Sequence, residues 1–353
     1  MKTAPHALVA VVAGCLLLTA CAQSNANGET QPGADATGAI TFVSTGGKFQ
    51  EAQTQAWQVP FTEKTGIGFV NDGPVDESKM KAMVDGGKVT WDVLDTSAGA
   101  AGQYCGKYLE PLDFTVVDRS KFDPKTVGDC GVPAYFYSTL LMYDTSKFAD
   151  NPPTSVADFF DLDKYPGKRI VPPELSVGLL EFALLGDGVA PDQLYPLDVD
   201  RALRKLDSIK AKTTFSTTYG QIQQAMVDQQ VTMALTSTAR AEAVLRAGAP
   251  FTAVWDKTVV NWDDLVIPKG SPNKDAAMQF IALATDDGPS SDFSRLSSTL
   301  PVNKDIATQF DDVQEAINPF APGREDGIVY GDALWWSENL DTVTDKFTNW
   351  LVG

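Results

Sequence analysis

An acidic cluster beside a short apolar run is the feature of this sequence best suited to binding chemistry. Asn261, Trp262, Asp263 and Asp264 come directly before the run Leu265–Ile267, which has the composition of a buried strand. Carboxylates at the end of such a strand are candidates for holding a charged group. The same residues are also typical of a solvated loop before a strand.

Arg240 is a candidate of the opposite charge. It follows the strand pattern Val231–Leu235 and comes shortly before Glu242 and Arg246 in a helical segment. An arginine in a cleft suits a carboxylate, which it can hold through two parallel hydrogen bonds. A solvated arginine at the start of this helix is the alternative.

Two turns between a strand and a helix add small polar residues. Thr45 and Gly46 follow the apolar run Ala39–Val43, and Thr96 and Ser97 follow a second strand pattern that ends at Asp95. Ligands of open α/β sheets bind outside the carboxyl ends of strands, where helix N-termini also expose N–H groups. A plain turn, or a helix cap formed by Thr96 or Ser97, explains the same residues. No Gly-Lys-Ser/Thr ends the first turn, so it is not a nucleotide-binding loop of that kind.

The sequence offers little for catalysis. Its one histidine, His6, lies in an apparent export signal, so the mature chain lacks the commonest general base and transition-metal ligand. No G-x-S-x-G motif or metal-spaced cluster is present. A hydrolase that uses two carboxylates stays open, although no pair stands out. We expect no enzyme activity, no metal site and no cofactor.

The N-terminus has the pattern of a lipoprotein signal. An apolar run from Ala7 to Ala20 ends at Leu18-Thr19-Ala20-Cys21, which resembles a lipobox. This predicts a lipoprotein signal segment over 1–21, cleaved before Cys21 so that the lipidated Cys21 becomes the N-terminus, and a polar flexible tether over 22–38. An ordinary secretory signal is the alternative. We expect an exported protein that is anchored to the outer face of the cell membrane. In a cell with an outer membrane, this location is the periplasm.

Charge and cysteine content narrow the partners. The formal net charge of −18 argues against binding to nucleic acid or to anionic membrane surfaces. Cys105 and Cys130 are the two cysteines that follow the signal region. An oxidising compartment favours a disulfide between them, and two free buried thiols are the alternative.

Several ordered stretches resemble one known family. The segment Ile267–Ala277 reads IPKGSPNKDAA and is followed by Phe280-Ile281, Cys130–Pro133 reads CGVP, and the C-terminus carries Trp335-Trp336. These stretches resemble the extracellular solute-binding proteins of ABC importers, of the spermidine/putrescine type. The resemblance covers about residues 40–351.

The resemblance implies an α/β fold of the periplasmic-binding-protein-like type II class. Two α/β lobes would be joined by a two-segment hinge, with the ligand cleft between them. Lobe 1 would hold residues 39–135 and 268–330, lobe 2 residues 136–267, and residues 331–353 would form a C-terminal docking helix.

The resemblance also assigns a site. Asp263 takes the family's acidic position that meets a substrate amine, and Tyr137 presents its ring to the cleft. Asn261, Ser237 and Thr299 stand where polyamine binders carry aromatic rings. Arg240 matches an arginine of some family members, and the first loop, with Thr45 and Gly46, contacts ligand.

The implied function is capture of a small amine, such as putrescine or spermidine, and its delivery to an ABC permease. The missing rings and Arg240 favour the alternative of a zwitterionic amino-acid-like or opine-like solute. The partners implied are this solute, the permease and the membrane through the lipid anchor, with the protein acting as a monomer.

Overall fold

The computed structural model describes residues 38–303, 306 and 308–353. The expectations about the signal segment 1–21, the lipidation of Cys21 and the tether fall on residues 1–37, outside the described residues. No helix in the described part of the chain has both the length and the apolar character needed to cross a membrane.

The described residues form one mixed ten-stranded sheet. Its strands are β1 (Ala39–Val43), β2 (Gly68–Asp72), β3 (Val93–Ser97), β4 (Gly131–Asp144), β5 (Arg169–Val171), β6 (Thr213–Phe215), β7 (Met233–Ser237), β8 (Phe251–Ala253), β9 (Thr258–Val266) and β10 (Ile328–Tyr330). The order is β2-β1-β3-β9-β4-β7-β5-β6, with β10 beside β9 and β8 beside β4.

Helices cover the sheet. They are α1 (Gly47–Gln53), α2 (Val59–Thr65), α3 (Glu77–Asp85), α4 (Ala98–Tyr104), α5 (Leu179–Gly186), α6 (Val199–Asp207), α7 (Tyr219–Val227), α8 (Thr238–Arg246), α9 (Lys274–Ala284), α10 (Asp287–Ser297), α11 (Asp312–Ala316) and α12 (Ala333–Val352). A single helix over 48–61 is the sequence expectation. The structure confirms a continuous helical stretch, over residues 47–65, in which α1 and α2 are joined by a π-helical turn at Thr54–Gln58.

The two longest strands, β4 and β9, form the centre of the sheet. They pair antiparallel from Gly131 opposite Val266 to Thr139 opposite Val259, with a register shift between Pro133 and Tyr135. On one side, β9 pairs with β3 and leads to the parallel strands β1 and β2. On the other side, β4 pairs with β7 and leads to β5 and β6. The chain therefore passes twice through the middle of the sheet, once in each direction.

Separate apolar clusters pack on the two ends of the sheet. Phe42, Trp57 and Phe280 belong to the cluster at the β1–β3 end. Phe159 and Phe182 belong to the cluster at the β5–β7 end, which Trp336 of α12 also joins. Each such ring, once buried, contributes about 1.5–3 kcal/mol.

Two further contacts stabilise the β1–β3 end of the sheet. A disulfide joins Cys105, directly after α4, to Cys130, directly before β4, with 5.3 Å between their Cα atoms. Helix α12 crosses α4 at Gly99, where a side-chain carbon would overlap the carbonyl oxygen of Ala333. The absence of a side chain at Gly99 therefore allows the close approach of the two helices.

Candidate ligand-binding site

Asp263 lies at the centre of the sheet, on β9. Its direct neighbours are Tyr135 on β4 and Ser97 on β3. Side chains directly opposite one another on paired strands share a face, so these three residues point the same way. The Tyr135 hydroxyl donates to Asp263 Oδ2 at 2.7 Å. Burial raises the pKa of the Asp263 carboxyl, and this hydrogen bond opposes the rise.

A second carboxyl, Asp95, shares the same tyrosine. It lies on β3 two residues before Ser97, on the same face, and is 3% exposed. Its Oδ2 accepts hydrogen bonds from Gln53 Nε2 at 2.5 Å and from Ser44 Oγ at 3.4 Å. The Tyr135 hydroxyl oxygen lies 3.3 Å from this Oδ2.

One hydroxyl has one hydrogen, which constrains the protonation of this pair. The shorter contact directs the Tyr135 hydrogen to Asp263. A protonated Asp95 can then donate to the tyrosine oxygen, whereas two ionised carboxylates would repel each other. Burial, followed by the charge of Asp263, raises the pKa of Asp95 well above its ordinary value. Both arguments assign the neutral form to Asp95 and the charge to Asp263.

Further polar side chains, Tyr137, Glu174 and Tyr219, continue from this pair toward the other end of the sheet. Tyr137 follows two residues after Tyr135, and the two ring centroids are 6.4 Å apart. Burial raises the pKa of Tyr137 well above its usual range, and the charges of Asp263 and Glu174 add to the rise. The Tyr219 hydroxyl donates to Glu174 Oε2 at 3.2 Å.

Arg240 is the positively charged residue next to these polar side chains. It extends from the first turn of α8 and is exposed, and its Nη1 donates to Gln223 Oε1 at 3.1 Å. Burial and Glu174 raise the pKa of Tyr219, and the positive charge of Arg240 opposes the rise. The series of residues from Asp263 to Arg240 is thus linked by a hydrogen bond to Tyr135, a ring contact between Tyr135 and Tyr137, and electrostatic interactions of Tyr219 with Tyr137 and with Arg240.

A small cavity of about 110 Å³ adjoins this series of residues. Ser97, Tyr137 and Asn261 line it together with Trp336 of α12. Asn261 is 8% exposed, and its Nδ2 has no hydrogen-bond partner among the described residues. The cavity therefore brings three of the sequence-predicted site residues together.

Comparison with known proteins identifies the family. The model of the bacterial extracellular solute-binding protein family matches residues 56–321. The gamma-aminobutyric acid-binding protein of Pseudomonas aeruginosa is 34% identical over 328 residues, which cover 89% of this chain and 91% of that protein. The chain belongs to the bacterial extracellular solute-binding protein family.

Solved structures agree with this family and its fold. The structure entitled Atu4243-GABA receptor has a TM-score of 0.81 and 37% identity, covering 89% of this solute-binding protein and 97% of that chain. The binding protein AgtB of A. tumefaciens, in complex with agropinic acid, has a TM-score of 0.70 and 30% identity, covering 90% and 99%. This solute-binding protein thus has the periplasmic-binding-protein-like fold, and its relatives are receptors, not enzymes.

Some sequence-predicted residues of this solute-binding protein lie away from Asp263. Thr96 pairs with Asp264, so it points to the opposite face of the sheet, which corrects its assignment to the site. Thr299 bonds Ser297 at 2.8 Å and lines a separate small cavity with Thr238, which gives it no described contact with the site.

The remaining predicted residues lie at the margins of the site. Thr45 is exposed and Gly46 half-buried in the turn before α1. The neighbouring Ser44, and not Thr45, is the residue of this turn that contacts Asp95. Ser97 caps α4 by accepting from the Ala100 N–H at 3.3 Å, and Ser237 precedes α8 opposite Thr139. Among the described residues, no group of three or more His, Cys, Asp or Glu side chains is arranged to hold a metal ion.

Sequence reasoning missed Asp95, Gln53 and Tyr135. A period-two alternation places Asp95 on the same face as Ser97, and this signal was available in the strand pattern. The link from Gln53 to Asp95 spans two separate elements, α1 and β3. No local pattern predicts such a contact.

Proposed function

We propose that this solute-binding protein captures a small linear zwitterion, of the γ-aminobutyrate class, and delivers it to an ABC permease. Asp263 would hold the ammonium group and Arg240 the carboxylate. The observation that carries the proposal is the placement of these opposite charges at the two ends of one series, Tyr135, Tyr137 and Tyr219.

The dimensions of the sheet suit a ligand held at both ends. Asp263 lies opposite Tyr135, Thr139 lies four residues further along β4, and Ser237 lies opposite Thr139. On an ideal sheet these steps separate the Cα atoms of Asp263 and Ser237 by roughly 16 Å. A short linear molecule with a side chain reaching it from each end fits this interval.

The sequence resemblance alone implied a polyamine, and the comparisons support the zwitterionic alternative instead. One relative is named for γ-aminobutyric acid, a second structure is entitled a GABA receptor, and a third contains agropinic acid. A second ammonium group on a polyamine would meet Arg240, a like charge that opposes binding.

The proposal includes hinge closure. Residues 39–135 with 268–330 would form one lobe and residues 136–267 the other, and these would close on the solute about β4 and β9, with residues 331–353 docked on the body. The predicted boundaries fall between Tyr135 and Phe136 in β4, and one residue after the end of β9. We further propose that the protein acts as a monomer, anchored through a lipid on Cys21.

Calorimetric titration with γ-aminobutyrate, putrescine, spermidine and agropinic acid tests the proposal. We expect γ-aminobutyrate to bind at least tenfold more tightly than either polyamine. The ligand should be recovered unchanged by NMR after prolonged incubation, since the protein is a receptor. Tighter binding of putrescine or spermidine would overturn the proposal.

A further inference from the structure

A cavity lies behind β9, where Asp264 points away from Asp263. Its volume is about 440 Å³, within the range of small-molecule sites. Trp262 and Asp264 of β9 contribute to its wall, with Tyr330 of β10 and Tyr195. Alternation along β9 turns Asp264 away from Asp263. Trp262 lines both this cavity and the smaller cavity beside Asn261, so the two cavities are neighbours, and Asp264 belongs to the larger one.

Asp264 is an incompletely satisfied carboxyl in the wall of this cavity. It is 3% exposed, and its Oδ1 has no hydrogen-bond partner among the described residues. Its Oδ2 lies against the backbone of Gly131, where a side-chain carbon would be 2.6 Å away. The indole N–H of Trp262 is also without a partner in the described part of the chain, although it is close enough to lower the pKa of this carboxyl. Buried polar groups without partners are costly, and a matching ligand group offsets that cost.

The electrostatics of the cavity favour a cation. Its charged lining residues are Asp264, Asp129, Asp332 and Lys125, three carboxyls against one ammonium. Asp129 is partly neutralised by Arg119 at 3.3 Å, but Asp264 has no ion pair among the described residues. Burial, followed by the negative charge of Asp263, raises the pKa of Asp264 well above its ordinary value. A bound cation would favour its ionised form.

Aromatic rings provide the apolar part of such a site. The centroids of Trp262 and Tyr330 are 6.1 Å apart, with their planes nearly perpendicular at 84°. Both rings line the cavity beside Asp264. An alkylammonium group can form an ion pair with a carboxylate and cation–π interactions with neighbouring aromatic rings.

We propose that this cavity is a second binding site, which receives a small alkylammonium at the Asp264 carboxyl, against the rings of Trp262 and Tyr330. The site requires no carboxylate on its ligand, unlike the proposed solute site. It does not depend on the proposed function, because its carboxyl, Asp264, lies on the face of β9 opposite Asp263.

Titration with n-butylammonium, followed by ligand-observed NMR and calorimetry, tests this site. We expect one equivalent to bind wild-type protein in the saturating presence of γ-aminobutyrate, which occupies Asp263. Asp264→Asn should weaken this binding at least tenfold. The matched variant Asp263→Asn, one residue away on the opposite face, should retain this binding, because loss of the Asp263 charge lowers the pKa of Asp264 and favours its ionised form. Binding by wild type should also strengthen as pH rises, because the cation displaces a proton from Asp264.

A second variant covers the case in which Asp264→Asn fails to fold. Gly102 of α4 lines the cavity, and a side-chain carbon there would meet just one side chain, Leu334 Cδ1, at 3.5 Å. Gly102→Leu should therefore occupy part of the cavity and weaken butylammonium binding, while the circular dichroism spectrum stays that of wild type. The proposal is overturned if butylammonium does not bind, if binding is lost in Asp263→Asn, or if a folded Asp264→Asn or Gly102→Leu binds it as wild type does.

Discussion

Replacement of Asp263 by asparagine removes the proposed ammonium partner with little change in shape. Asparagine keeps an oxygen that can accept from the Tyr135 hydroxyl, which now donates to Asp263 at 2.7 Å. The loss is therefore the negative charge, in a half-buried position next to the neutral Asp95. Truncating one partner of a desolvated charge pair costs about 2–5 kcal/mol. At about 1.4 kcal/mol per tenfold change, the dissociation constant for γ-aminobutyrate should rise at least thirtyfold.

The next residue provides a matched control for this change. Asp264→Asn makes the same chemical substitution on the opposite face of β9, and we expect the affinity for γ-aminobutyrate to stay within threefold of wild type. Calorimetry measures both affinities, and thermal unfolding monitors the fold. An affinity within threefold of wild type in Asp263→Asn would refute the assignment. Glu174 would then be the next candidate, since it accepts a hydrogen bond from the Tyr219 hydroxyl.

Three further outcomes follow from the contacts described. Tyr135→Phe removes the hydroxyl between Asp95 and Asp263, and should weaken γ-aminobutyrate binding about tenfold, the effect of losing roughly 1.5 kcal/mol in one charged hydrogen bond; unchanged affinity by calorimetry would contradict this. Replacing Cys105 and Cys130 by serine opens a loop with a sequence separation of 25, and should lower the free energy of unfolding in urea by about 3–4 kcal/mol; a loss below about 1 kcal/mol would argue that the loop is held by other contacts. Burial raises the pKa of Glu181 above its ordinary 4.5, so folding favours the neutral carboxyl and the stability of wild type should fall as pH rises above about 4.5. Glu181→Gln should flatten that fall, measured by chemical denaturation between pH 4 and 7. An identical pH dependence of stability in wild type and variant would refute the argument.

The sequence was most informative where a local pattern determines structure. The apolar run Leu265–Ile267 continues β9, and the segment CGVP begins β4, so the passage of the chain through the centre of the sheet was predictable. The acidic position at Asp263 was predictable from the resemblance. Its surroundings required the register of three strands, because Tyr135 and Ser97 become its neighbours only through pairing.

The features that the sequence did not predict depend on strand pairing and on packing between elements. Thr96 and Ser97 are adjacent in sequence, yet one residue of a strand decides the face, and Thr96 pairs with Asp264. The predicted helix over 48–61 is present, but the π-helical turn inside it, at Thr54–Gln58, is one that no propensity indicates. Thr299 was assigned by alignment with a tyrosine, and its hydroxyl bonds Ser297 instead.

The central claim is that Asp263 and Arg240 hold the two opposite charges of one zwitterion. The most direct test is a pair of titrations, γ-aminobutyrate and putrescine, against wild type and Arg240→Ala. Removal of the proposed carboxylate partner should weaken γ-aminobutyrate binding at least tenfold and leave putrescine binding unchanged or stronger. Equal affinity of wild type and Arg240→Ala for γ-aminobutyrate, with putrescine the tighter ligand of both, would contradict the claim.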